Sequence, residues 1–293
     1  GLHHTPKLSA ASTTDLVALL DHPNAWHRET AQRLLFERQD QAAVEPLREL
    51  VKSGKTAQGT ITALWALNSV TTSNPRQAVE SAISALTAQD SKVRANACKL
   101  LADKNISLTD SEVSFEHFKN ETENAVQFWL ALWHGNLKQD YAGRLLAHLA
   151  WENRSHRNDS WLQTAILSYQ DEPAIDSVFL GFASLWALKE PEAEFPYLGQ
   201  LAYRMALSSD LSKDPMLPQF ITGSGFRKVN SRLIVLQLLR GLKHQNKEVP
   251  SWMLNSALAE LLSEWRTELL TQIEDSKADI PLRSKSLSDL SLL

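Results

Sequence analysis

Five short segments, AQRLL, ALWAL, ACKLL, LALW and AILS, recur between residues 31 and 168 and constrain the fold of this chain more than any other feature. Each sets a small or apolar anchor beside a hydrophobic pair or near pair. The anchors are Ala31, Ala63, Ala97, Leu130 and Ala165, at successive spacings of 32, 34, 33 and 35 residues. A period of that length holds one helix, a turn, a second helix and a linker. One such unit cannot bury its own apolar face, so neighbouring units must cover one another, and the chain becomes an array.

Local spacing agrees with this period. Leu16, Leu19 and Leu20, then Ala31, Leu34 and Leu35, then Leu64, Leu67 and Val70 each fall on one face of a helix. No long alternating run of β-branched residues offers a strand, and the 10 glycines and 11 prolines leave few breaks for one. Asn24, Asp90 and Asp159 stand where side-chain oxygens can cap helix starts. Pro23, Pro75, Pro173 and Pro191 fall near boundaries, where a missing N–H does least harm. The expectation is an all-α fold, an α-α superhelix or solenoid of antiparallel helix pairs. Residues 1–12 are expected to form a linker and 13–293 a single helical-repeat domain, regular over about 13–190 and irregular over 191–293. The longest break is DLSKDPMLPQFITGSGF, residues 210 to 226, after which RLIVLQLLRGL and WMLNSALAELLSEW resume the helical pattern.

Composition excludes several function classes. The chain has 293 residues, 43% of them hydrophobic, and a net charge of -4, so it can bury a substantial core and does not have the makeup of a disordered protein. Its basic residues are scattered, which gives no footprint for nucleic acid and no polybasic segment for an anionic membrane. No apolar run approaches the roughly 18 residues that span a bilayer, so membrane insertion by this chain is not expected. The lone Cys98, in RANACKLLAD, excludes an internal disulfide and any Cys-based zinc or haem attachment in the chain, and fits a small core residue. The start GLHHTPKLSA lacks the apolar core of a signal peptide, and the sequence is expected to be a fragment of a larger protein.

The run Asp90-Ser-Lys-Val93-Arg94-Ala-Asn-Ala97 resembles the start of the second helix in HEAT repeats. That resemblance implies that Asp90 and Arg94 join a ladder of polar contacts between successive units. Arg28, three residues before Ala31 as Arg94 is before Ala97, takes the same role. A longer resemblance covers most of residues 3 to 170. It runs through LSAASTTDLVALLDHPNAWHRETAQRLLFER, ITALWAL, VRANACKLLAD, VQFWLALWHGN and NDSWLQTAILS. Together these resemble the HEAT region of the large planctomycete-type haem-binding proteins, the putative membrane-bound dehydrogenases. In that family the region follows a β-propeller and often precedes a cytochrome c module with a CxxCH site. The resemblance implies a bacterial, extracytoplasmic (periplasmic) parent in which haem c belongs only to a downstream module. Dehydrogenase chemistry is then a property of the parent, and this chain is expected to carry no cofactor of its own.

Clusters of reactive side chains have packing alternatives. In HPNAWHRETAQRLLFER, His22 and His27 are five apart across Pro23 and do not share a helix face as a zinc-binding i, i+4 pair does. Trp26 is expected to wedge the turn. Between Trp129 and Arg157, tryptophans, histidines and arginines concentrate. Trp133, His134, Trp151, Arg154, His156 and Arg157 are candidates for a binding groove on the concave surface, since Trp and Arg often anchor interfaces. The alternative is that Trp129 and Trp133, at i, i+4, face the core. TGSGFRK, residues 222 to 228, lacks a preceding strand and the glycine spacing of a phosphate loop, and no GxSxG elbow occurs.

The functional expectation is a non-catalytic helical-repeat scaffold whose partners are neighbouring domains of the same polypeptide or another protein. One rival is an enzyme like the HEAT-like alkyl-base DNA glycosylases, which would need a strongly positive cleft. Another is a free-standing cytoplasmic adaptor.

Overall fold

A capping box opens the first helix pair. The Asp15 N–H donates to the Ser12 hydroxyl at 3.1 Å, the Ser12 N–H donates back to the Asp15 carboxylate at 3.3 Å, and α1 (Thr13–Leu19) begins. In this computed structural model, residues 7–106, 118, 120–135, 140–152, 160–168, 172–189, 196–213, 217–222, 228–254, 256–275 and 277–293 are described. Every described regular element is helical, and consecutive helices pack as neighbouring pairs, the arrangement expected of an all-α helical-repeat superhelix. Two compact units form, residues 1–137 and 138–293.

In the first unit, Asn24 caps α2 (Ala25–Arg38) by accepting from the Trp26 N–H at 2.9 Å. Helix α2 ends where Gln39 turns left-handed, at φ 47°. Glycine is the usual residue there, but the Gln39 amide donates to Phe36 O at 2.7 Å and to Ser69 O at 3.0 Å, bonds a glycine could not make. The chain continues through α3 (Val44–Ser53), α4 (Ala57–Val70), α5 (Arg76–Ala85), α6 (Ser91–Asp103) and α7 (Asn124–Gly135). Turns of a few residues fold α1 onto α2, α3 onto α4 and α5 onto α6. Across these pairs α2, α4, α6 and α7 pack in succession, and α1, α3 and α5 form the other layer.

The periodic anchors lie at the middle of this packing. Ala31, Ala63, Ala97 and Leu130 are 0% exposed, and Ala165 in the second unit is 2%. Small side chains let helix axes approach, and the leucines beside them fill the space: Leu35, Leu64 and Leu67 are fully buried. Each such leucine stabilises the fold by about 1.5 to 3 kcal/mol relative to exposure. Cys98 is also fully buried, and burial pushes its thiol far above the ordinary range, so it is an unreactive core group.

Residues 8–12 correct the linker expectation. Leu8 is buried, and the Arg38 guanidinium donates to Ala11 O at 2.7 Å and Ser9 O at 2.9 Å, which ties this segment to the end of α2.

The second unit contains α8 (Asp140–Glu152), α9 (Ser160–Leu167), α10 (Glu172–Lys189), α11 (Pro196–Ser208), α12 (Leu217–Thr222), α13 (Lys228–His244), α14 (Ser256–Glu274) and α15 (Ile280–Leu290). Its main contacts are α8 with α10, α10 with α11, α11 with α13, and α14 with α15. Gly241 makes the α11–α13 approach possible, because a Cβ there would stand 2.6 Å from Ala206 Cβ and 2.9 Å from Tyr203 O. The break expected over 210–226 contains the short helix α12. The last helix is unusual: α15 turns Ser286 and Asp289 inward and leaves Ile280, Leu282 and Leu287 exposed. Asp289 is paired with Arg240, and the Ser286 hydroxyl donates to the Gln272 side chain at 2.8 Å.

Candidate functional site

The groove candidates are core residues wherever they are described. Trp133, His134 and Trp151 are 0%, 2% and 1% exposed, which corrects the expectation that they line an accessible surface. The physical reason is helix periodicity. Trp133 lies three residues after the buried anchor Leu130, on the same face of α7, and its indole N–H donates to Ile106 O at 2.8 Å. The Phe118 ring meets Trp133 and His134 edge-on, at 6.4 and 6.1 Å between centroids. Burial lowers the His134 imidazole to about 4, so it is neutral at pH 7, with Nδ1 bonded to Leu130 O at 3.0 Å. Arg154, His156 and Arg157 lie outside the described residues.

The polar ladder is also rearranged. Arg28 donates from Nη1 to His22 O at 2.7 Å and Pro23 O at 2.8 Å, the residues six and five before it. Arg94 repeats these offsets, donating to Ala88 O at 2.9 Å and Gln89 O at 2.8 Å. Both arginines therefore clamp the turn that precedes their own helix. Only Arg94 also reaches forward, with a bidentate pair to Glu121 at 2.8 and 3.1 Å. Asp90 caps its own helix through the Lys92 N–H at 2.8 Å. Forward contact in the first repeat is made instead by Asp21, which accepts from the Thr56 hydroxyl and, at 3.2 Å, from the Lys55 N–H.

Trp26 does not wedge the turn. It is 47% exposed and meets His27 edge-on. His22 and His27 come together although they share no helix face, because His22 in the turn folds back until the ring centroids are 4.2 Å apart. The Asn24 N–H donates to His22 Nδ1 at 3.0 Å, which leaves the proton of a neutral ring on Nε2. That nitrogen is then a donor and not a metal ligand. Among the described residues no three His, Cys, Asp or Glu side chains converge on a metal-sized site. No described helix is long and apolar enough to cross a membrane.

A different cluster stands on the α2, α4, α6 and α7 layer of the first unit. Trp65 on α4, Lys99 on α6 and Trp129 on α7 form a row in which the Lys99 ammonium lies 5.5 Å from the Trp65 ring centre and 5.1 Å from that of Trp129. All three side chains are partly exposed. The Trp65 indole N–H donates to the Asn96 side chain at 2.8 Å, which fixes its ring, and Phe128 braces Trp129 edge-on at 5.3 Å. Ammonium between two aromatic faces is a favourable electrostatic arrangement, and Ile61, four residues before Trp65, and Leu132, three after Trp129, are partly exposed apolar residues of the same helices. A sequence signal for this row exists. Trp65 and Lys99 each stand two residues after an anchor, Ala63 and Ala97.

No protein-family model matches this sequence, and no curated protein matches it.

Proposed function

We propose that this chain is a non-catalytic helical-repeat scaffold that holds neighbouring domains or partner proteins on its helical surface. The observation that carries this reading is the repeat-to-repeat construction of the first unit. Its side chains tie one helix pair to the next across 27 to 35 residues: Gln39 to Ser69 O, Asp21 to Thr56, Trp65 to Asn96 and Arg94 to Glu121. Such ties stiffen a broad surface, which suits a protein whose work is positioning.

The finer reading places this scaffold in a larger extracytoplasmic redox protein of bacteria, between a propeller dehydrogenase and a c-type cytochrome module. The resemblance of residues 3 to 170 to the HEAT region of planctomycete-type haem-binding proteins supports it. Reading the full-length open reading frame tests the parent directly: a propeller before this segment and a CxxCH after it are the expected result. Chemical crosslinking of the intact protein then tests the role. Crosslinks from the first unit to either module are expected, and their complete absence would remove the scaffold reading.

A further inference from the structure

We infer that the Trp65–Lys99–Trp129 row is a docking site for a protein segment carrying a carboxylate flanked by apolar side chains. The inference rests on the scaffold reading and names the partner chemistry of one surface on it. Lys99 carries the argument. Its ammonium sits between two indoles from the helices on either side, and no ion pair to a described carboxylate accompanies those contacts. Asp103 stands one helical turn further along α6, and the two are not paired. The ammonium is thus held between the two rings, partly exposed and without a counterion among the described residues.

A carboxylate is what such a group lacks. Ordering a lysine side chain normally costs a binding partner some of its energy, and the indoles have already done that here. Ile61 and Leu132 stand one helical turn from Trp65 and Trp129, Phe128 is in ring contact with Trp129, and all three are partly exposed, so a docked acidic residue would meet Lys99 near apolar side chains, where charge pairing is stronger than in open water. Apolar neighbours on the incoming segment would cover the indole faces, and tryptophans in such a setting are frequent energetic centres of interfaces. A polyanion such as nucleic acid fits poorly, because the row offers one ammonium within a chain of net charge -4.

The test is calorimetric and fluorescence titration of the full chain with the peptide Leu-Asp-Phe-Glu-Leu, blocked at both ends, and with its amide counterpart Leu-Asn-Phe-Gln-Leu. The acidic peptide is expected to bind about tenfold more tightly, with the preference falling as salt is added. Lys99→Met should abolish the preference, while Lys99→Arg, which can also stack on both indoles, should retain it. Circular dichroism and the melting midpoint of each variant establish that the fold is intact. Equal binding of the two peptides, or a preference that survives Lys99→Met, overturns the inference. So does tighter binding of the neutral sugar cellohexaose, which would make the indoles a stacking platform for carbohydrate. The titration reads this cluster alone, so its failure is distinct from an absence of crosslinks to neighbouring domains.

Discussion

Gly59 shows how much a single missing carbon does in this molecule. Its Cα faces the Asp21 carboxylate so closely that a Cβ would overlap it. The space lets Asp21 sit at the start of α4, where it accepts from the Lys55 N–H and the Thr56 hydroxyl, and Thr56 in turn caps the helix through the Gly59 N–H at 2.9 Å. An anion there also faces the positive end of the helix. Gly59→Ala should therefore destabilise the protein by about 1 to 2 kcal/mol, although alanine favours helix by about 1 kcal/mol over glycine. In an Asp21→Ala background the same change should become stabilising, a reversal of sign that urea unfolding of the four variants would detect. Tyr197 gives the opposite case. Its hydroxyl is buried with no hydrogen-bond partner among the described residues, and burial raises it well above the usual phenol range. Tyr197→Phe should raise stability by about 1 kcal/mol, measured by the same unfolding curves; a loss would mean that the hydroxyl is bonded in solution. Neither residue announces itself in the sequence, because a glycine's neighbour and a hydroxyl's lack of one are both facts of three-dimensional contact.

Among the elements, α7 shows what the sequence reveals and what it hides. Leu130 as an anchor follows from spacing and is buried, whereas Trp133, expected on a groove, lies on the same buried face three residues on. The same helix turns Trp129 outward toward Lys99, and that contact depends on how α6 and α7 are rotated about their axes, which a period of about 33 residues does not specify. The turns were legible in part: Asn24 and Asp90 cap as expected, but the arginines four residues on clamp their own turns, a pairing to backbone oxygens that residue types do not advertise. Helix α7 also carries an acid sensitivity. His134 is buried neutral with its folded value lowered to about 4, below the unfolded 6.5. Its contribution is full above the unfolded value and is lost as pH falls toward the folded one, up to about 3 kcal/mol between pH 7 and pH 4. At the loop before α7, burial pushes the Glu121 carboxyl up, but Arg94 and the Glu123 and Thr122 N–H groups outweigh it and hold it below the carboxylate range. That contribution persists above the unfolded carboxylate value and fades as pH falls through the lowered one. Urea midpoints measured from pH 7 to 4 should drop for the native chain and change less for His134→Leu. Parallel curves would show that the imidazole is protonated in the fold.

For the whole molecule, stability should be graded within the first unit. From Gly59 to Val70, helix α4 has no exposed residue, and it packs against α2, α3, α5 and α6, whereas α1 packs mainly on α2 and α3. Hydrogen exchange should accordingly be slowest in α4 and α6 and fastest in α1, and uniform protection across the unit would contradict this. The second unit follows a looser measure. Its ties run from Asp176 to Ser209 over 33 residues, from Tyr203 to His244 and Leu211 to Trp252 over 41, and from Arg240 to Asp289 over 49. Longer helices such as α10, α13 and α14 stretch the spacing, which is why the sequence period fades there. The ties of the first unit set a rule for how its length can evolve. Deleting one residue from a helix turns everything after it by about 100° and separates each donor from its acceptor. Deleting a whole repeat instead carries donor and acceptor together into a new register, so shortened or lengthened descendants of this chain should differ by entire helix pairs.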